Sequence, residues 1–149
     1  MKKLLIATTA SALIAGAASA EDIKLGIVFG FTGPIESLTQ PMAQAAEMAM
    51  KEVSDSGALL GGATVEGIRG DSTCIDSAAA VAATERLVTS DKVNGIVGGD
   101  CSGVTGAMLQ NVARPNGIVM ISPSATSPAL STVTESPILI SLRFISSSL

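Results

Sequence analysis

Apolar and polar positions change period several times along this chain, and each change marks an element. IKLGIVFG (23–30) is a short apolar run rich in β-branched residues and predicts a buried strand. FTGPIESLTQ (31–40), interrupted by Gly33-Pro34, predicts a loop. Over 41–57 the spacing turns helical. Met42, Ala45, Ala46, Ala49, Met50 and Val53 form one apolar face, Glu47 and Lys51 stand four apart on the other side, and Gly57 stops the helix. A second strand is expected near 63–69. Asp76 is placed to cap a helix over 77–90, in which Ala83 and Leu87 lie one turn apart. VNGIVGG (93–99) predicts a third strand that ends in glycines. SGVTGAMLQNVAR (102–114) predicts a third helix, with Ser102 as its N-cap and Val104, Ala107, Met108 and Val112 toward the sheet. Pro115-Asn116-Gly117 ends that helix, IVMIS (118–122) reads as a fourth strand, and PSATSPALS (123–131) as a loop.

The order is β-α-β-α-β-α-β. Short apolar strands alternating with helices imply right-handed crossovers, hence an α/β fold with a parallel sheet and helices on both faces. Ligands of such folds sit beyond the carboxyl ends of the strands. Loops 31–40, 100–103 and 123–128 emerge there.

The first twenty residues carry a different signal. Lys2 and Lys3 precede the apolar stretch LLIATTASALIAGA, and Ala18-Ser19-Ala20 is a small-x-small cleavage site. The stretch is too short to span a bilayer, which takes about 20 apolar residues. Residues 1–20 therefore read as a signal peptide, cleaved after Ala20, of a protein exported to the periplasm. Nine basic residues less Lys2 and Lys3 leave seven against thirteen acidic ones, a net charge of −6 after cleavage. No Lys/Arg cluster remains, which argues against a nucleic-acid partner. The core must be built from Ala, Val, Ile, Leu and Met, since Trp and Tyr are absent and only three Phe occur. Two cysteines in an exported chain most simply pair, the alternative being two buried free thiols. A metal site is disfavoured, because the chain has no histidine.

Two segments carry candidate binding chemistry. Ser102 and Gly103 open the third helix, where unpaired N–H groups and a partial positive charge suit a carboxylate or phosphate. The bland alternative is a serine that caps its own helix. Pro123-Ser124-Ala125-Thr126-Ser127-Pro128 is held extended by its prolines, exposing the Ser124 carbonyl and the Thr126 hydroxyl as acceptors for an ammonium. The bland alternative is a Pro/Ser connector. Together the segments offer the polar grip for an α-amino acid. Asp71 and Asp100 end strands on the same rim; a carboxylate pair is conceivable, and simple loop solvation is the preferred reading. The glycines make neither G-x-G-x-x-G nor G-x-x-x-x-G-K-[ST], so nucleotide cofactors find no support. Without histidine there is no Ser-His-Asp triad, and Lys24, Lys51 and Lys92 lack a Ser-Lys context, so no enzyme is expected.

EDIKLGIVFGFTGP, GDSTC, GGDCSG and ISPSATSPAL, in this order, resemble the periplasmic leucine/isoleucine/valine-binding proteins, receptors of ABC importers with a type I periplasmic binding fold. The resemblance covers roughly residues 20–132. It implies a Rossmann-like first lobe over 21–133 and a Cys74–Cys101 disulfide. Ser102 and its N–H would hold a ligand carboxylate. The Ser124 carbonyl and Thr126 hydroxyl would take the ammonium, the Thr126 N–H would also reach the carboxylate, and Gly103 and Ala125 would line the site. The implied partners are a small solute and an inner-membrane ABC permease, with no cofactor; a ligand-sensing module of the same fold is the alternative. Relatives place an aromatic residue in the first loop. Here IESLTQ puts Leu38 near that place, which leaves another aliphatic amino acid, an amide or a urea-like solute open as ligand. TESPILISLRFISSSL does not follow the family pattern, so 134–149 reads as an atypical tail of a truncated or frame-shifted product, in which ILISLRFI could form a strand. One lobe leaves a ligand half in water, so binding no tighter than millimolar is expected.

Overall fold

The structure is a computed structural model, and it describes residues 21–59, 61–131 and 139–141. The expected signal peptide lies outside the described residues, as does most of the expected tail. The elements run β1 (Ile23–Phe29), α1 (Glu36–Ser56), β2 (Val65–Asp71), α2 (Ser77–Thr89), β3 (Gly95–Gly98), α3 (Ser102–Met108), β4 (Val119–Ser122) and β5 (Leu139–Ser141). A π-helical turn (Leu109–Ala113) and a final α-turn (Arg114–Asn116) prolong α3. All strand pairs are parallel, in the order β2-β1-β3-β4-β5. The alternating pattern thus gives the expected α/β sheet, and ILISLRFI contributes its strand over 139–141.

Strand order dictates where the helices lie. The step from β1 to β2 goes one way across the sheet; the steps to β3 and β4 go the other. With right-handed crossovers, α1 falls on one face and α2 and α3 on the opposite one. Strand alternation then builds two cores. Val28, Ile96 and Met120 pack with Ala80, Leu87, Val104, Met108 and Leu109 under α2 and α3. Ile27 and Phe29 pack with Ala43 and Met50 under α1. Since α1 covers only the β1–β2 side, Val119 and Ile121 of β4 stay 43% and 40% exposed on its face.

Several local expectations are corrected. Helix α1 begins at Glu36 rather than Pro41. The Ile35 carbonyl accepts from the N–H groups of Leu38 (2.9 Å) and Thr39 (3.3 Å), and the buried Thr39 hydroxyl donates to the Gly30 carbonyl at 2.8 Å. Pro41 then forfeits a single early bond, which these anchors offset. The buried positions of α1 are Thr39, Ala43 and Met50, whereas Ala45, Ala49 and Val53 are exposed. An earlier start does not rotate the face; the sheet simply meets a narrower stripe than the apolar residues offer. Glu47 does not pair along the helix with Lys51, which binds Asp55 at 2.6 Å. Arg69 of β2 takes Glu47 with a two-pronged grip, Nε–Oε1 at 2.6 Å and Nη2–Oε2 at 2.8 Å. The planar fork fits a carboxylate better than an ammonium does. These bonds, foremost the side-chain hydrogen bond, hold Glu47 below the ordinary carboxylate range. The second strand is shifted to Val65–Asp71. Asp76 caps α2 as expected, accepting from Ala78 and Ala79 N–H at 2.9 and 3.0 Å.

The end of β3 is packed against the backbone of β1. Gly98 has φ +146°, and a Cβ there would sit 2.3 Å from the Val28 carbonyl oxygen. Gly98→Ala is therefore expected to cost about 2–4 kcal/mol through combined strain and overpacking. Urea unfolding checks this: the midpoint should fall with an unchanged slope. A wild-type midpoint would show that β1 and β3 can separate without loss.

Candidate functional site

Strands β1, β2, β3 and β4 stop nearly level, with Phe29 opposite Asp71, Val28 opposite Gly98 and Val97 opposite Ile121. Each is followed by a short polar segment, so these segments meet on one rim. The β2–α2 turn carries Thr73 and Cys74 at φ 54° and 68°. Left-handed backbone is costly for such residues, and hydrogen bonds hold it here. Asp71 accepts from Thr73 N–H at 2.8 Å, and Ser72 Oγ accepts from Cys74 N–H at 3.3 Å. This turn presents Cys74 to Cys101, and the two form a disulfide with Cα atoms 5.3 Å apart. The alternative of free thiols is thus excluded among the described residues.

Cys101, not Ser102, is the N-cap residue of α3, with φ −98° and ψ 135°. That extended backbone is usual at a cap position, and the Cys101 carbonyl accepts from the Thr105 N–H at 3.0 Å and the Thr105 hydroxyl at 2.8 Å. Ser102 is moved into the first turn, and its side chain is released from capping. Its Oγ instead accepts from the Ser127 N–H at 3.1 Å. That bond joins the two candidate segments directly. The Ser102 hydroxyl keeps its own proton to donate. The N–H groups of Ser102, Gly103 and Val104 precede the first bond of the helix ladder and face the rim.

The loop after β4 is tied from below. Ser122 Oγ donates to the Gly99 carbonyl at 2.6 Å and accepts from the Ala125 N–H at 2.9 Å. Ala125 is buried, while Ser124 and Thr126 are exposed. Ser124 Oγ donates to the Asp100 carbonyl at 2.8 Å. The structure therefore brings Ser102, Gly103 and Ser124–Thr126 together. Leu38 reaches the same end of the sheet on the first turn of α1, with its side chain 62% exposed. Its turn is anchored through Thr39 to the Gly30 carbonyl.

Neither rim aspartate is merely solvated, which corrects the preferred reading, and they do not pair with each other. Asp71 accepts from Thr32 Oγ (2.6 Å) and from the N–H groups of Thr73 (2.8 Å), Phe31 (2.9 Å) and Thr32 (3.3 Å). Burial pushes its carboxyl upward, and these hydrogen bonds outweigh that and hold it below 3.8. Asp100 is only 5% exposed. Its Oδ2 accepts from Gly30 N–H at 2.7 Å, and its Oδ1 from Cys101 N–H at 2.9 Å and Ser72 Oγ at 3.1 Å. Ser72, Ser122 and Ser127 have no assigned role in the sequence reading, which takes Asp100 for a solvated loop residue. Their signal was weak but present: strand after strand ends in a short Asp or Ser. Among the described residues no group of three or more His, Cys, Asp or Glu is placed to hold a metal.

The family model for periplasmic binding proteins matches residues 22–144, and the chain belongs to that family. A Leu/Ile/Val-binding protein homolog of Brucella melitensis is 38% identical over 104 residues, 69% of this chain and 25% of that protein. The leucine-specific-binding protein of Salmonella typhimurium is 32% identical over 128 residues, 86% of this chain and 34% of that one. Among solved structures, the branched-chain amino acid transporter substrate binding protein LivJ from Streptococcus pneumoniae, in complex with isoleucine, superposes with a TM-score of 0.71. It is 31% identical, and the match covers 80% of this chain and 33% of that one. The chain thus spans 25–34% of the length of these curated relatives.

Asp71 gives the rim a defined acid response. Its folded-state value lies below 3.8, so between the folded and unfolded values the unfolded chain binds more protons. The stabilisation is complete above the unfolded value and is lost as pH falls through the folded one. The stability gap between wild type and Asp71→Asn should be constant above about pH 5 and shrink below about pH 4. Urea unfolding at stepped pH checks this; a gap that persists at low pH would remove the carboxylate as its cause.

Proposed function

We propose that the chain carries one wall of a receptor for a small amino-acid-like solute, with a branched-chain amino acid as the favoured ligand. The observation that carries this reading is the Ser127 N–H to Ser102 Oγ bond, which sets a donor-rich helix start beside an acceptor-rich loop. The Ser102 hydroxyl and the N–H groups of Ser102 and Gly103 would bind the carboxylate, joined by the Thr126 N–H. The Ser124 carbonyl and the Thr126 hydroxyl would bind the ammonium, and Leu38 would lie toward the aliphatic end. Such a grip selects charge pattern and spacing, which supports a reading of binding without catalysis.

Two further facts support it. The relatives' names describe leucine, isoleucine and valine binding. Gly103 is exposed, and a Cβ added there would meet nothing within 4 Å, so neither packing nor backbone conformation within the chain demands a glycine. A ligand approaching the helix start closely would demand one. The whole protein, on this reading, is exported with cleavage after Ala20, works in the periplasm and delivers its solute to an ABC permease.

Gly103→Ala separates this from a purely structural site. In the ligand-free chain it should be neutral or stabilising by about 0.5–1 kcal/mol, since alanine suits a helix better. It should also abolish the rise in melting temperature caused by ligand. The panel is L-leucine, L-isoleucine, L-valine, aliphatic amides and urea, each at about 10 mM, enough to register millimolar binding. Stabilisation of the wild type by amino acids and not by their amides fits the carboxylate site. A panel that moves nothing, or a variant that responds like wild type, overturns the assignment. A micromolar dissociation constant would overturn the expectation that one wall binds weakly.

A further inference from the structure

Asp100 makes none of the ligand contacts proposed above, yet it touches every loop that does. Through its side chain it holds Gly30, just after β1, at 2.7 Å, Ser72, just after β2, at 3.1 Å, and Cys101, which starts α3, at 2.9 Å. Through its carbonyl it holds the Ser124 hydroxyl at 2.8 Å, and the adjoining Gly99 carbonyl holds Ser122 at 2.6 Å. Ser122 in turn fixes the Ala125 N–H. A nearly buried carboxyl that forms no salt bridge among the described residues must be satisfied by hydrogen bonds, and here the donors come from three separate connections.

The donor pattern requires an acid at this position. Gly30 N–H lies on one oxygen and Cys101 N–H on the other, and a backbone N–H can only donate. An asparagine of the same shape must turn its NH2 toward one of them, whichever way the amide is flipped. Ser72, a hydroxyl, could reverse its bond; the two amides could not.

We infer that Asp100 is a positioning residue that sets the spacing between the Ser102–Gly103 helix start and the Ser124–Thr126 loop before a ligand arrives. The inference rests on the binding reading above for its consequence, but its geometry is independent of any ligand. Rigid placement of both halves lowers the ordering cost of binding.

The test compares the full oxidised chain with Asp100→Asn and Asp100→Ala by amide NMR, thermal melting and titration with L-leucine. In the ligand-free Asn variant, the amide resonances of Ser102, Gly103, Ala125 and Thr126 should all move, and Ala125 N–H exchange should speed up about tenfold or more. Leucine affinity of the folded variant should fall by about tenfold, with Asp100→Ala worse than Asp100→Asn. A merely structural role would lower the melting temperature and leave affinity and the Ala125 and Thr126 resonances unchanged; that result overturns the inference. If leucine fails to bind the wild type, the receptor reading falls, and the ligand-free resonances alone decide the role of Asp100. If neither variant folds, Ser72→Ala removes one of the bonds, and undisturbed Ser102 and Ala125 resonances there overturn it.

Discussion

A carboxyl group withdrawn from water must be ringed by donors, and Asp100 finds its donors only because four parallel strands stop at one level. The register of β1 against β2 and β3 brings Gly30 and Ser72 to the end of β3. Gly98 lets β3 run close against the Val28 backbone at the same height. Loosening either strand would leave a buried acceptor short of partners, a penalty of about 1–3 kcal/mol for each one lost. The rim is therefore coupled to the sheet: the hydrogen bonds that shape the loops also penalise misalignment of the strands beneath them.

The disulfide and the Asp100 network act on the same junction by different means. The Cys74–Cys101 bond joins the β2–α2 turn to the start of α3, where Cys101 occupies the cap position. Ser102 is then free of capping and turns toward the next loop. The network supplies direction, through bonds that each have a donor and an acceptor. A chain with the disulfide alone would keep the loops near one another without fixing which atoms face outward from the rim.

The two faces of the sheet are unequal for a topological reason. Successive right-handed crossovers from β2 to β3 and β3 to β4 stack α2 and α3 on one face, and only the reverse step from β1 to β2 puts α1 on the other. One helix cannot cover five strands. An open groove lined by Leu25, Ala46, Met50, Val53 and Val65 continues to Val97, and Val119 and Ile121 lie exposed beyond it. The unbroken apolar run Val119-Met120-Ile121 reads as a strand buried on both sides, yet only the face of Met120 and Ser122 is covered.

The local pattern of the sequence determined the α/β order, the Asp76 cap and the helix start at Ser102, because strand alternation, short-range capping and Gly/Pro breaks are properties of adjacent residues. It also brought Ser102, Gly103 and Ser124–Thr126 to one end of a sheet, since topology alone places those loops. The tertiary structure decided what crosses between elements. Thr39 reached back to Gly30 and started α1 five residues early. Arg69, 22 residues away, took Glu47 from its helical neighbour. Cys101 displaced Ser102 from the cap, and Asp100 proved to be the hub of the rim rather than a solvated loop residue. Each outcome depends on a donor and an acceptor far apart in the chain meeting within about 3 Å. Hydrophobic period carries no information about such meetings, because it specifies which face a residue takes and not which atom lies opposite it.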